Sequence, residues 1–186
     1  MQSANGYVLD STPAPFTIDG TMDTVVVEKT NKPQKGRISV QKSGDSFATV
    51  NENNGIYTPV FEETDLAGAV FEITAAEDIV TADGTIRAKK GDVVATLSTD
   101  ENGYAESDLL YLGKYEVKEV TAPFGYVKND AVQTVELTYA GQEIEVRDTV
   151  NQEFVNDYQG VEITLSKFME RDELFGIGEN EIVNNT

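Results

Sequence analysis

Five short runs of this chain alternate apolar and polar residues with period two: Arg37–Lys42, Ala69–Thr74, Tyr115–Glu119, Val135–Thr138 and Glu143–Arg147. Alternation of that kind marks a half-buried antiparallel strand, whose side chains point in turn to the core and to water. Asp83-Gly84, Lys90-Gly91-Asp92, Asn102-Gly103, Leu112-Gly113 and Ala140-Gly141 punctuate the chain as turn signals. No window carries a 3.6-residue period, and Ala75–Ile79 makes at most one helical turn. Residues 43–56, rich in Ser, Asp, Asn and Gly, read as a long polar loop. The expected fold is all-β, an Ig-like antiparallel sandwich with Greek-key-like connections.

Composition narrows the chemistry. The 186 residues hold 14 Lys and Arg against 33 Asp and Glu, a net charge of -19. Such a surface repels phosphates, so nucleic acid and anionic membrane surfaces are excluded as partners. Cysteine, histidine and tryptophan are absent. That removes imidazole bases, thiolate nucleophiles, Cys/His metal sites and any disulfide framework, and no cofactor or metal is expected. The longest aliphatic run is Val25-Val26-Val27, so no segment is expected to insert in a membrane.

The chain also repeats itself at an offset of 125 residues. Asn31-Lys-Pro-Gln34 is followed by Ile38, Val40 and Lys42, and Asn156-Asp-Tyr-Gln159 by Ile163, Leu165 and Lys167. Gly6-Tyr7-Val8 resembles Gly125-Tyr126-Val127 and precedes its Asn in the same order. A string of similar domains is the expectation, the alternative being one large domain with coincidental similarity. Residues 34–158 form the complete copy, 1–33 the closing strands of a preceding copy, and 159–186 the opening strand region of a following one.

Three polar residues continue apolar stripes. Lys42 shares a strand face with Ile38 and Val40, Glu119 with Tyr115 and Val117, and Asn156 with Phe154. A single residue of this kind is ordinarily a strand end reaching water. Burying an unpaired charge or amide costs several kcal/mol, so three in one domain call for a shared explanation. If they meet, burial favours a neutral amine and a neutral carboxylic acid. The Lys42 amine would then attack the Asn156 carboxamide, polarised by Glu119, and expel ammonia to leave an amide crosslink. Asp157 is the alternative acceptor, but it lies on the opposite face.

These residues carry a resemblance. Gly36-x-Ile-x-Val-x-Lys42, Leu66-Ala-Gly-Ala-Val-Phe-Glu72, Gly113-Lys-Tyr-Glu-Val-Lys-Glu119-x-x-Ala-Pro-x-Gly-Tyr126 and Phe154-Val-Asn156 resemble Cna B-type repeat domains, the prealbumin-like sandwiches of Gram-positive surface proteins and pilins. The resemblance implies an intramolecular isopeptide bond between Lys42 and Asn156, with Glu119 assisting. It also implies that Asn31 and Lys167 are the acceptor and amine of the flanking partial copies. No LPxTG-like sorting signal and no pilin-type Tyr-Pro-Lys is present in the chain.

Asp100-Glu-Asn-Gly103 hints at calcium, but Leu109 stands where an EF-hand loop needs its bidentate Glu, so an Asn-Gly turn is the better reading. The expected function is a structural stalk module of an extracellular, cell-surface adhesin or pilin, with neighbouring repeats as partners. It is not an enzyme beyond the single crosslinking event; a carboxylate-pair glycosidase finds no supporting motif. The alternative is an adhesin module touching host protein or glycan through loop 43–56 and the aromatics Tyr57, Phe61, Phe124 and Tyr126.

Overall fold

A computed structural model describes residues 2–18, 20, 24–161 and 163–167. In chain order the strands are β1 (Tyr7–Val8), β2 (Lys32–Pro33), β3 (Lys35–Gly36), β4 (Ile38–Asn53), β5 (Ile56–Asp65), β6 (Val70–Ala75) and β7 (Ile79–Val80). They continue with β8 (Ile86–Ala88), β9 (Val93–Ser98), β10 (Tyr104–Glu106), β11 (Leu110–Tyr111), β12 (Gly113–Thr121), β13 (Val132–Leu137) and β14 (Val150–Asn156). There is no helix among the described residues. Accordingly no helix there is long and apolar enough to cross a membrane.

Two four-stranded sheets make the sandwich. One runs β10-β4-β14 with β5 added to β4, and the other runs β13-β12-β6-β9. Ile38, Val40 and Phe154 face Phe71, Ile73, Tyr115, Val117, Val135 and Leu137 across the interior. The Phe71 and Phe154 rings, one from each sheet, lie 4.7 Å apart at the centre. The alternation read from the sequence explains the burial. In β12, Tyr115, Val117 and Glu119 are buried while Glu116 and Lys118 are exposed.

The sheets are antiparallel with one exception: β14 pairs with β4 in parallel. The first and last long strands of residues 34–158 therefore run in the same direction. The chain enters the sandwich at one pole and leaves at the other.

Two expectations need correcting. Residues 43–56 are not a polar loop. β4 continues through them to Asn53 and returns as β5 in an antiparallel ribbon. The reversal falls on Asn54-Gly55, both at positive φ (53° and 77°), the backbone that a two-residue hairpin turn requires. Polar content hid the strand because the ribbon has no core beneath it, so the apolar-inward rule had nothing to act on. Conversely, Glu143–Arg147 forms no strand, only an isolated bridge between Lys35 and Val146. The Gln34 side chain takes the Ile144 carbonyl and, just before the segment, the Ala140 amide and Gly141 carbonyl, while the Arg147 amide bonds the Lys35 carbonyl, so part of this backbone is satisfied without a ladder.

Candidate crosslinking site

Lys42, Glu119 and Asn156 are the charged or amide side chains at the distal end of the core, and all three are buried. The β4 and β14 ladder sets the first part of the geometry. Parallel register places Lys42 beside Phe154 and Gly44 beside Asn156. Lys42 and Asn156 thus come from neighbouring strands of one sheet, and Glu119 from β12 of the other. The pairing of β12 with β6 slips between Glu119 and Thr121, an irregularity of the kind that re-aims a side chain.

The Lys42 Nζ donates to the carbonyl of Ser43 at 2.8 Å and to that of Phe154 at 3.1 Å. Withdrawal from water lowers its pKa from the ordinary 10.5 to about 8, and the nearby Glu119 carboxylate offsets part of that drop. The Asn156 Nδ2 donates to both Glu119 oxygens, each at 2.9 Å. Glu119 Oε2 also accepts the Asn129 backbone N–H at 2.6 Å. The Asn156 Oδ1 is buried and has no hydrogen-bond partner. Buried carbonyl oxygens are seldom left so, and this one belongs to the carboxamide in the middle of the cluster.

Sequence reasoning missed two residues that hold this arrangement. Asn129 grips Glu119 with its backbone and the Val155 carbonyl with its side chain, at 3.0 Å. It lies between strands, where period-two patterning is silent. Gly44 is the other. A Cβ there would stand 2.5 Å from the Asn156 carbonyl oxygen, 2.7 Å from Leu66 Cδ1 and 3.0 Å from Tyr126 Cε1. A glycine two residues beyond the buried lysine was the available signal.

The remaining residues lie apart from this cluster. Asp157 is exposed on the opposite face of the strand end. The Asn31 Oδ1 accepts the Asp10 amide at 3.0 Å. Lys167 is exposed and in no strand, and residues 168–186 lie outside those described. Asp100 folds its carboxylate onto the Asn102 and Tyr104 amides, as a turn residue does. Tyr57, Phe61 and Phe124 are exposed, whereas Tyr126 is half-buried and stacks on Tyr158 with ring centroids 4.8 Å apart.

The chain matches the family model described as SpaA, prealbumin-like fold domain, over residues 60–152, half of its length. Glu119 lies inside the matched span; Lys42 and Asn156 flank it. Among solved structures, the TIE protein of Bacillus anthracis is similar at 26% identity and a TM-score of 0.55, over 85% of this chain and 24% of that one. The chain therefore spans about a quarter of that protein. The minor pilin GBS52 of Streptococcus agalactiae shares 21% identity over 74% of this chain and 51% of that one, with a TM-score of 0.45. The major pilin SpaD of Corynebacterium diphtheriae shares 21% over 67% and 30%, with a TM-score of 0.45. None of the curated proteins matches the chain. Sandwich topology and family match agree: the chain belongs to the SpaA family of prealbumin-like fold domains.

Proposed function

We propose that this chain is a structural stalk module of an extracellular bacterial surface adhesin or pilin, locked by an autocatalytic isopeptide bond between Lys42 and Asn156. The observation that carries the reading is the buried Lys42–Glu119–Asn156 cluster, with its unpartnered Asn156 Oδ1. Three ionisable or amide groups without surface access are a poor way to stabilise a sandwich. They are a good way to make one bond.

A lysine with a pKa of about 8 is neutral in roughly one molecule in ten at pH 7. A neutral amine has two N–H groups and a lone pair. The Ser43 and Phe154 carbonyls take the two hydrogens and leave the lone pair for the Asn156 Cγ. Attack forms the Nζ–Cγ bond and pushes electrons onto Oδ1. Glu119, whose two oxygens each lie 2.9 Å from Nδ2, stands beside the leaving group. Glu119 then carries the proton lost by Nζ to Nδ2, the Cγ–Nδ2 bond breaks, and ammonia leaves. The product is a neutral secondary amide, with no charge left on the lysine.

Intact mass spectrometry tests this. The folded chain should be about 17 Da lighter than its sequence, with Lys42 and Asn156 joined in one peptide. A full-mass folded chain refutes the bond. A loss of about 18 Da would move the acceptor to Asp157.

The same reading makes residues 34–158 one link between neighbouring repeats, with 1–33 and 159–186 belonging to the copies before and after. A second reading, contact with host protein or glycan, is favoured by the β4–β5 ribbon. Its apolar stripe of Phe47, Phe61 and Tyr57 is exposed on a projecting hairpin. Shortening the ribbon at Asn54-Gly55 should abolish cell or glycan binding if that reading holds, and leave the mass loss unchanged.

A further inference from the structure

The segment before residue 34 folds as a miniature of the segment before residue 159. Tyr7 N–H bonds the Ala4 carbonyl at 3.0 Å, and Tyr126 N–H bonds the Pro123 carbonyl at 3.1 Å. Tyr7 pairs with Pro33 as Tyr126 pairs with Tyr158, both antiparallel. Gln34 N–H reaches the Gly6 carbonyl and Gln159 N–H the Gly125 carbonyl, each at 2.8 Å. Gly6 and Gly125 turn the chain at φ of 83° and 86°, a region that favours glycine. The two glutamines therefore occupy equivalent positions beside equivalent turns. Their side chains differ in surroundings.

Gln159 is exposed, whereas Gln34 is completely buried. Both polar atoms of the Gln34 carboxamide bond the 140–144 loop. Nε2 donates to the Gly141 carbonyl at 3.0 Å and to the Ile144 carbonyl, and Oε1 accepts the Ala140 N–H at 2.7 Å. Around it the tail continues onto the same loop. Leu9 N–H bonds the Gln142 carbonyl at 2.9 Å, Ser3 N–H bonds the Gln142 Oε1 at 3.0 Å, and the Tyr139 hydroxyl donates to the Tyr7 carbonyl at 3.4 Å. A buried carboxamide whose nitrogen and oxygen are both partnered fixes one relative placement of the parts it joins, since any slip leaves buried groups unpaired.

From this we infer that the 139–145 loop is a docking face for the closing strands of the preceding repeat, which meet it through Ser3, Tyr7 and Leu9, and that Gln34, the first residue of the complete repeat, is the latch that pins that loop at the junction and so sets consecutive repeats at a fixed angle. Gln159 presents the same latch to the 140–144 loop of the repeat that follows. The partner is thus a copy of this domain type in the same polypeptide. The inference rests on the reading of 1–33 as a preceding repeat. Its test is independent of the crosslink, so the two can fail separately.

Hydrogen exchange followed residue by residue on the whole chain decides it. In Gln34→Ala the Leu9 amide should exchange at least tenfold faster, although Leu9 does not touch Gln34, while the Val117 amide and the chain mass stay as in the parent. Gln34→Glu keeps the side-chain shape but cannot donate to the Gly141 and Ile144 carbonyls. It should release Leu9 equally, and it serves if the alanine variant unfolds. Gln159→Ala should leave Leu9 unchanged. Full Leu9 protection in the Gln34→Glu variant overturns the latch, as does equal loss of protection in Gln159→Ala.

Discussion

Glu119 reaches Asn156 from the opposite sheet, with both carboxylate oxygens 2.9 Å from the same Nδ2. One nitrogen is shared between the two oxygens of one carboxylate, which holds Glu119 and Asn156 in contact across the sandwich. Glu119 is also held from behind by the Asn129 amide. This pairing makes the role of Glu119 separable from that of its neighbours.

Glu119→Gln keeps the shape but cannot shuttle a proton. The variant should fold, retain its full sequence mass and melt below the parent. Glu116→Gln, on the exposed face of the same strand, should lose about 17 Da as the parent does. Both masses come from one spectrum of each purified chain. Loss of ammonia at the parental rate in Glu119→Gln overturns the proposed role.

Stability against pH should expose the buried lysine once the bond is prevented. The folded pKa of Lys42, about 8, lies below the ordinary 10.5. Between those values the unfolded chain binds more protons than the folded one, so stability rises with pH across that window. Below pH 8 both states are protonated and the full penalty applies; above 10.5 neither is. In an Asn156→Ala background, urea unfolding should show a gain of roughly 3 kcal/mol from pH 8 to 10.5. The same background carrying Lys42→Met should lack that gain.

Gly44 should be as necessary as the reactive residues. An alanine there meets the Asn156 carbonyl oxygen at 2.5 Å, and backbone cannot swing aside as a flexible side chain can. Separating β14 from β4 would cost about 1–3 kcal/mol and pull Asn156 away from Lys42. Gly44→Ala should therefore form the crosslink more slowly than the parent after refolding, as followed by mass over time. Crosslinking at the parental rate would show that the ladder tolerates the methyl group.

The sequence made some of this legible and left other parts hidden, for physical reasons. Strands lying over the core were readable because water on one side and apolar packing on the other write the period-two pattern, as in Tyr115–Glu119. The same pattern flagged Lys42, Glu119 and Asn156, since a polar residue in an apolar stripe is conspicuous. The β4–β5 ribbon was hidden because both its faces are largely exposed. The parallel pairing of β14 with β4 was hidden because register across more than a hundred residues is a tertiary property. Glu143–Arg147 misled, because its backbone bonds the Gln34 side chain at Ile144 and the Lys35 carbonyl at Arg147 instead of a neighbouring strand.

The parallel pairing of β4 and β14 also sets the mechanical response. A pull on a string of repeats draws β4 back from its start at Ile38 and β14 forward from its end at Asn156. The two strands are loaded in opposite directions, and without a covalent bond their ladder shears. With Lys42 joined to Asn156, force enters along five residues of β4, crosses the amide and leaves the domain, and everything between is bypassed. That intervening chain of ~114 residues would otherwise yield about 390 Å at roughly 3.4 Å per residue. By comparison with a disulfide closing a loop of similar size, the bond should stabilise the domain by on the order of 5 kcal/mol. Single-molecule pulling from handles at the two termini should show no release of that length in the parent chain and full release in Lys42→Ala. Equal extension of the two chains would show that the force does not run through the bond.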